Sequence, residues 1–135
     1  MREIKFRGVR EKTGEWVFGH LVVRESPYLH DIVIPIGDSS SCTWAIKRGS
    51  EGQYTGLKDK NGVEIYEGDI LKAADRYTGV IGYRTESAQF VGFNIGNEFT
   101  DEDFDTLYTT NGRFNSAEVI GNRYENSELL REDEA

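Results

Sequence analysis

The chain is predicted to be a mainly β protein built from antiparallel sheets with little helix, its C-terminal half closing into a small barrel. Three observations lead there. Apolar residues alternate at period two through short runs, as they do in half-buried strands. Tight-turn signals separate those runs, notably Lys12-Thr13-Gly14, Asn61-Gly62 and Gly68-Asp69. No repeated helical crossover follows the strands, which argues against a parallel nucleotide-binding sheet.

The central stretch, QYTGLKDKNGVEIYEGDIL from Gln53 to Leu71, organises the rest. Asn61-Gly62 is expected to form a type I′ hairpin turn, in which both central residues take positive φ. Tyr54, Thr55 and Leu57 precede it; Val63, Ile65 and Tyr66 follow, with Glu64 facing outward. Gly68-Asp69 then marks a tight turn or bulge at a barrel corner, with Asp69 as an Asx-type turn former. Asn61, Gly62 and Gly68 are thus read as structural turn residues.

Toward the N-terminus, Met1 to Arg7 alternates with Ile4 and Phe6 on one face, and Glu15 to Val23 supplies the second arm of a first hairpin. Trp16, Phe18 or Val17, and Leu21 to Val23 are its core candidates, and Gly19 suggests a bulge. His30 to Ile36 is a further strand whose Pro35 places it at a strand end or an edge. Cys42, Trp44 and Ile46 share one face of a short strand. Beyond the centre, Thr78 to Tyr83 and Ala88 to Phe93 pair around a polar turn, each with an interior glycine, Gly82 and Gly92, where a small sheet bends. Thr100 to Thr109 reads as one or two helical turns, with acids in the first turn and Phe104, Leu107 and Tyr108 on one face. Asn111-Gly112 is a turn, Ala117 to Ile120 a last strand, and Asn126 caps a helical turn carrying Leu129 and Leu130. This order divides one compact unit, 1–135, into an N-terminal β portion, 1–65, and an SH3-like barrel, 66–135.

Composition narrows the function classes. The 135 residues carry a net charge of −8, which argues against wrapping a phosphate backbone. A single cysteine, Cys42, excludes an intramolecular disulfide and a cysteine metal cluster, and suits a reducing compartment. No apolar run approaches the roughly 18 residues of a membrane span, and the charged start MREIKFRG has no apolar signal core. A cytoplasmic protein without cofactor or metal is expected.

Several residue constellations compete with blander readings. His20 and His30 with Asp31 lack the tight spacing of a metal site. Asp101, Asp103 and Asp105 copy the start of a calcium loop, but Thr106 replaces its glycine and Gly112 its bidentate glutamate. Ser39 lacks a serine-hydrolase setting, and Cys42 reads as a structural thiol. Glu64, Glu67 and Asp69 around Gly68 are the one carboxylate cluster able to support a metal-dependent hydrolase, an alternative ranked last. Tyrosines are better candidates for binding: Tyr54 and Tyr66, with Glu67 and Asp69, are expected to form a protein-binding surface. Single-stranded nucleic acid is the runner-up ligand, with Lys58, Lys60, Lys72, Arg76 and Arg84 offering modest charge beside the rings.

Three segments carry a family resemblance: MREIKFRG with Trp16-Val17-Phe18-Gly19, GQYTGLKDKNGVEIYEGDI from Gly52 to Ile70, and EVIGNRYENSELL from Glu118 to Leu130. Together they resemble the YopX family of small phage and prophage proteins. The resemblance implies a mainly β fold, a phage or prophage setting, possible self-association and no established catalytic residue. Gln53 to Leu57, Asp59, Gly62, Ile65, Tyr66, Gly68 and Asp69 match its middle motif; Ile120 to Asn122, Tyr124 to Asn126 and Leu129 match its closing one. Arg123 stands where an apolar residue is commoner and Ser127 where a proline is. The expected role is a non-enzymatic accessory protein that binds a host or phage protein or itself.

Overall fold

The computed structural model describes residues 3–23, 30–36, 40–73, 78–94, 104–106 and 117–130. Among the described residues, regular structure consists of eleven strands and one short 3-10 turn, Ser127–Leu130. The strands are β1 (Phe6–Val9), β2 (Trp16–Val23), β3 (His30–Ile36), β4 (Ser40–Ala45), β5 (Gly52–Lys58), β6 (Glu64–Tyr66), β7 (Asp69–Lys72), β8 (Thr78–Arg84), β9 (Gln89–Asn94), β10 (Phe104–Thr106) and β11 (Glu118–Asn122). They form two sheets whose assigned pairings are antiparallel, in the orders β4-β3-β2-β1-β5-β6 and β10-β9-β8-β7-β11. The protein divides into two compact units, Met1–Gly56 and Leu57–Ala135.

In the first unit, the alternation of β2 turns Val17 into the core while Phe18 stays 45% exposed. Val17, Ile32 and Ile46 are buried together, with Phe6, Leu21 and Trp44 packed against them. Gly8 lies opposite Val17, and a Cβ on it would stand 2.5 Å from Ile46 Cδ1, so the missing side chain makes room for a core residue. Ile46 is held from the backbone as well. The Lys47 N–H donates to the Val9 carbonyl at 2.8 Å, and the Val9 N–H donates to Ser50 Oγ at 2.9 Å. The Ser50 hydroxyl in turn donates to the Lys47 carbonyl at 2.6 Å, so this buried polar side chain is satisfied in both directions.

One expectation for this unit changes and one holds. Gly19 pairs with Phe6 in unbroken register with Phe18 and Arg7, so no bulge interrupts β2 there. Pro35 lies near the end of β3, opposite Ser41 of β4, beyond Val33, the last β3 residue paired with β2. Its missing N–H therefore falls where one neighbouring strand has already ended.

The second unit packs Ile65, Leu71, Ala73, Ile81 and Ala117 into one core, flanked by Leu57 and Val119. The Tyr66-Glu67-Gly68-Asp69 turn links β6 to β7, with Gly68 at φ +89°, a conformation that side chains disfavour. In the β7–β11 pairing, Val119 faces Leu71 and Gly121 faces Ile70, leaving Ile120 as the extra residue of a bulge. At Gly82 a Cβ would meet the Phe93 ring at 2.8 Å, so this glycine seats an aromatic ring from the neighbouring strand.

Of the helical turns expected at Thr100 to Thr109, residues 104–106 lie among the described residues, and there the expectation is corrected. Phe104–Thr106 is strand β10, with Phe104 opposite Phe93 and Thr106 opposite Val91. Phe, Asp and Thr are modest helix formers, and the open edge of β9 offers backbone partners that a single helical turn cannot match. The expected turn at Asn111-Gly112 lies outside the described residues, as does Ser39.

Gly8→Ala should lower stability by about 1–3 kcal/mol through overpacking against Ile46, read as a reduced urea midpoint with an unchanged slope.

Candidate functional site

The surface expected from the tyrosines is not exposed. Tyr54, Tyr66 and Asp69 are 6%, 2% and 2% exposed respectively, and Glu67 is half-buried. Within the first unit, Tyr54 accepts the Lys5 ammonium over its ring at 5.2 Å. Within the second, the Tyr66 hydroxyl donates to Glu64 Oε1 at 3.1 Å, and the Tyr66 N–H donates to Asp69 Oδ2 at 2.8 Å. Asp69 thus closes the turn from a buried position, but backwards onto the residue three before it and not, as in the expected Asx turn, onto the N–H two residues on. Amphipathic rings and a turn carboxylate can be satisfied internally, and here they are.

Asp59, which the sequence marks only as a motif position, also has its carboxylate engaged by backbone donors. Asp59 Oδ1 accepts the N–H groups of Asn61 and Val63 at 2.8 and 2.9 Å, while Oδ2 accepts the Val119 N–H at 3.0 Å. One carboxylate therefore shapes the hairpin turn and ties it to β11. The Lys60 N–H adds a second tie, donating to the Ala117 carbonyl at 3.1 Å. This arrangement also corrects the turn type. The Asp59 N–H donates to the Val63 carbonyl and the Gly62 N–H to the Asp59 carbonyl, enclosing a three-residue loop. Only Gly62, at φ +82°, is left-handed, whereas a type I′ turn needs positive φ at Asn61 too. The readable signal was an aspartate two residues before Asn61, the spacing of an Asx turn.

Partial burial pushes the Asp59 carboxyl upward, but the Val119, Val63 and Asn61 N–H groups and the Lys60 ammonium favour the anion. The net result is a pKa below the ordinary 3.8.

The closing segment is built in the same manner. The Glu125 N–H donates to Asn122 Oδ1 at 2.8 Å, the Asn122 N–H donates to Asn126 Oδ1 at 3.1 Å, and the Asn126 N–H returns to the Asn122 carbonyl at 2.8 Å. A Cβ on Gly121 would meet Asn126 Oδ1 at 2.6 Å. Asn126 also accepts the Leu129 N–H through its carbonyl, leading into the expected helical turn, which Ser127 opens. Arg123 donates its N–H to the Gly68 carbonyl, and its Cγ stands 3.6 Å from the Cβ position of Gly68. The aliphatic stem of an arginine thus occupies a place suited to an apolar residue.

Among the described residues, no group of three or more His, Cys, Asp or Glu side chains is placed to hold a metal ion. His20 lies opposite Val33 and His30 opposite Val23, so the histidines are not cross-strand neighbours. Cys42 is free and half-buried. No helix among these residues is long and apolar enough to cross a membrane.

The family model described as YopX protein matches residues 5–131. The chain belongs to the YopX family. A solved structure, protein EF1440 from Enterococcus faecalis, is similar at 27% identity, with a TM-score of 0.53, over 97% of this chain and all of that one. No curated protein matches this sequence. In this YopX protein, the motif residues Asp59, Gly62, Gly68, Asp69, Gly121, Asn122 and Asn126 form turns and the ties between strands.

Asp59→Asn should lower stability by about 1–3 kcal/mol, because an amide nitrogen would face one of the N–H donors. Since the folded pKa lies below 3.8, the carboxylate's contribution is complete above that value and disappears as pH falls through the folded pKa. Denaturant titrations across acid pH should therefore show a smaller acid-induced loss in Asp59→Asn than in the parent.

Proposed function

We propose that the protein is a non-enzymatic accessory protein of phage or prophage origin, acting in the bacterial cytoplasm by binding a host or phage protein or by self-association. The observation that supports this reading is the outward face of β2, where Phe18 and Val22 are 45% and 41% exposed on an interior strand of the sheet. Arg7, directly opposite Phe18, stacks its guanidinium 4.6 Å from the Trp16 ring centre. Aromatic, aliphatic and arginine side chains in one neighbourhood are the composition of interface hot spots. Within the same proposal, the second unit is an SH3-like barrel, a reading that rests on the order β10-β9-β8-β7-β11, in which the last strand returns beside β7.

A second reading, single-stranded nucleic acid as ligand, draws on the cation–ring pairs Lys5–Tyr54, Arg7–Trp16 and Arg10–Trp44. The excess of acidic residues in the second half of the sequence opposes it. The metal-dependent hydrolase reading ranks below both, since Asp69 is buried and engaged by the Tyr66 N–H.

The double variant Phe18→Ser/Val22→Ser should keep its thermal midpoint and lose about tenfold or more in affinity for its partner or for itself. Capture from bacterial lysate with and without nuclease, together with sedimentation of the purified protein, checks this. Undiminished capture or self-association by the variant removes this face, and capture lost only on nuclease treatment moves the reading to nucleic acid.

A further inference from the structure

The Asn61-Gly62 pair combines an exposed asparagine with a glycine whose Cβ position has no neighbour within 4 Å. An asparagine side chain followed by an unhindered glycine nitrogen is chemically labile. Attack of the Gly62 nitrogen on Asn61 Cγ forms a new C–N bond. The Cγ–Nδ2 bond breaks, and ammonia leaves with the proton from the attacking nitrogen. Water then opens the cyclic imide. Cleavage of the new Cγ–N bond gives aspartate, whereas cleavage of the original peptide bond between Asn61 and Gly62 gives isoaspartate. No oxidant or reductant is needed.

The folded turn opposes the first step. The Gly62 N–H is engaged by the Asp59 carbonyl at 3.0 Å, and the Asn61 N–H by Asp59 Oδ1 at 2.8 Å. While both hydrogen bonds hold, the nitrogen is occupied and the backbone is fixed around it. We infer that Asn61 is a site of spontaneous deamidation whose rate is set by opening of the Asp59 turn. Isoaspartate inserts a methylene into the backbone between Asp59 and Val63, inside the loop that the carboxylate spans. The modified turn cannot keep the Asn61 and Val63 donors and the Val119 donor on one carboxylate with their original spacing. Damage at the turn thus loosens the hold on β11 irreversibly.

The test incubates the full-length protein at 37 °C in mildly alkaline buffer, followed by proteolysis and mass spectrometry for a gain of one mass unit and isoaspartate at residue 61. The urea-unfolded protein should convert fastest, and folded Asp59→Ala about tenfold faster than the folded parent, as expected for loss of hydrogen bonds that hold a local structure. Because Asp59→Ala can lower global stability, the parent is also followed in urea below its unfolding transition, where conversion should accelerate before the fold is lost. Equal rates in the folded and unfolded parent, or no conversion at residue 61 in the unfolded protein, would overturn the inference. So would identical rates for the folded parent and a folded Asp59→Ala variant.

Discussion

The second unit depends on one carboxylate that accepts from both a local turn and a distant strand. Asp59 and Val119 are 60 residues apart in sequence, yet their hydrogen bond is as short as an ordinary strand contact. A turn fixed only by its own residues would leave the hairpin free to slide, and a one-residue slip reverses every side chain in a strand. With Asp59 held to β11, Leu57, Ile65 and Val119 are kept on the same core as Leu71, Ile81 and Ala117. Polar geometry at the turn therefore decides which apolar faces meet.

The first unit solves a comparable problem with different groups. Ser50 joins β1 to the segment after Ile46 through a donor and an acceptor on one hydroxyl, while Gly8 leaves the volume that Ile46 fills. In both units, a small polar residue fixes backbone spacing and the apolar cluster fills the space so defined. Such arrangements need each polar atom satisfied, because a buried donor or acceptor without a partner costs about 1–3 kcal/mol.

Much of the strand content was legible because alternation reports directly on half-buried strands. Val17 and Phe18 on opposite sides of β2, or Trp44 and Ile46 on the inward side of their segment, follow from period two alone. The central hairpin and the corner at Gly68 were legible too, from Asn-Gly and Gly-Asp. The geometry of the hairpin was not, because the side chain of Asp59 replaced a type I′ turn with a loop needing one left-handed residue. Phe104 to Thr106 misled for a different reason: local acids imitate a helix start, whereas β9 supplies a pairing edge known only from tertiary structure. Tyr54 and Tyr66 show the limit of reading surfaces from residue type, since a tyrosine with an internal partner looks the same in sequence as one facing solvent.

The irregularity at Ile120 has a consequence for growth of the sheet. β11 terminates the order β10-β9-β8-β7-β11, and the Asp59 turn already takes its Val119 N–H and the carbonyl of Ala117 just before it, which leaves less of that edge for another strand. The extra residue between Val119 and Gly121 breaks the even spacing that an incoming strand would need to match. A sheet interrupted in this way resists polymerising along its hydrogen-bonding direction, so association with another molecule is steered away from the β11 edge and toward side-chain faces.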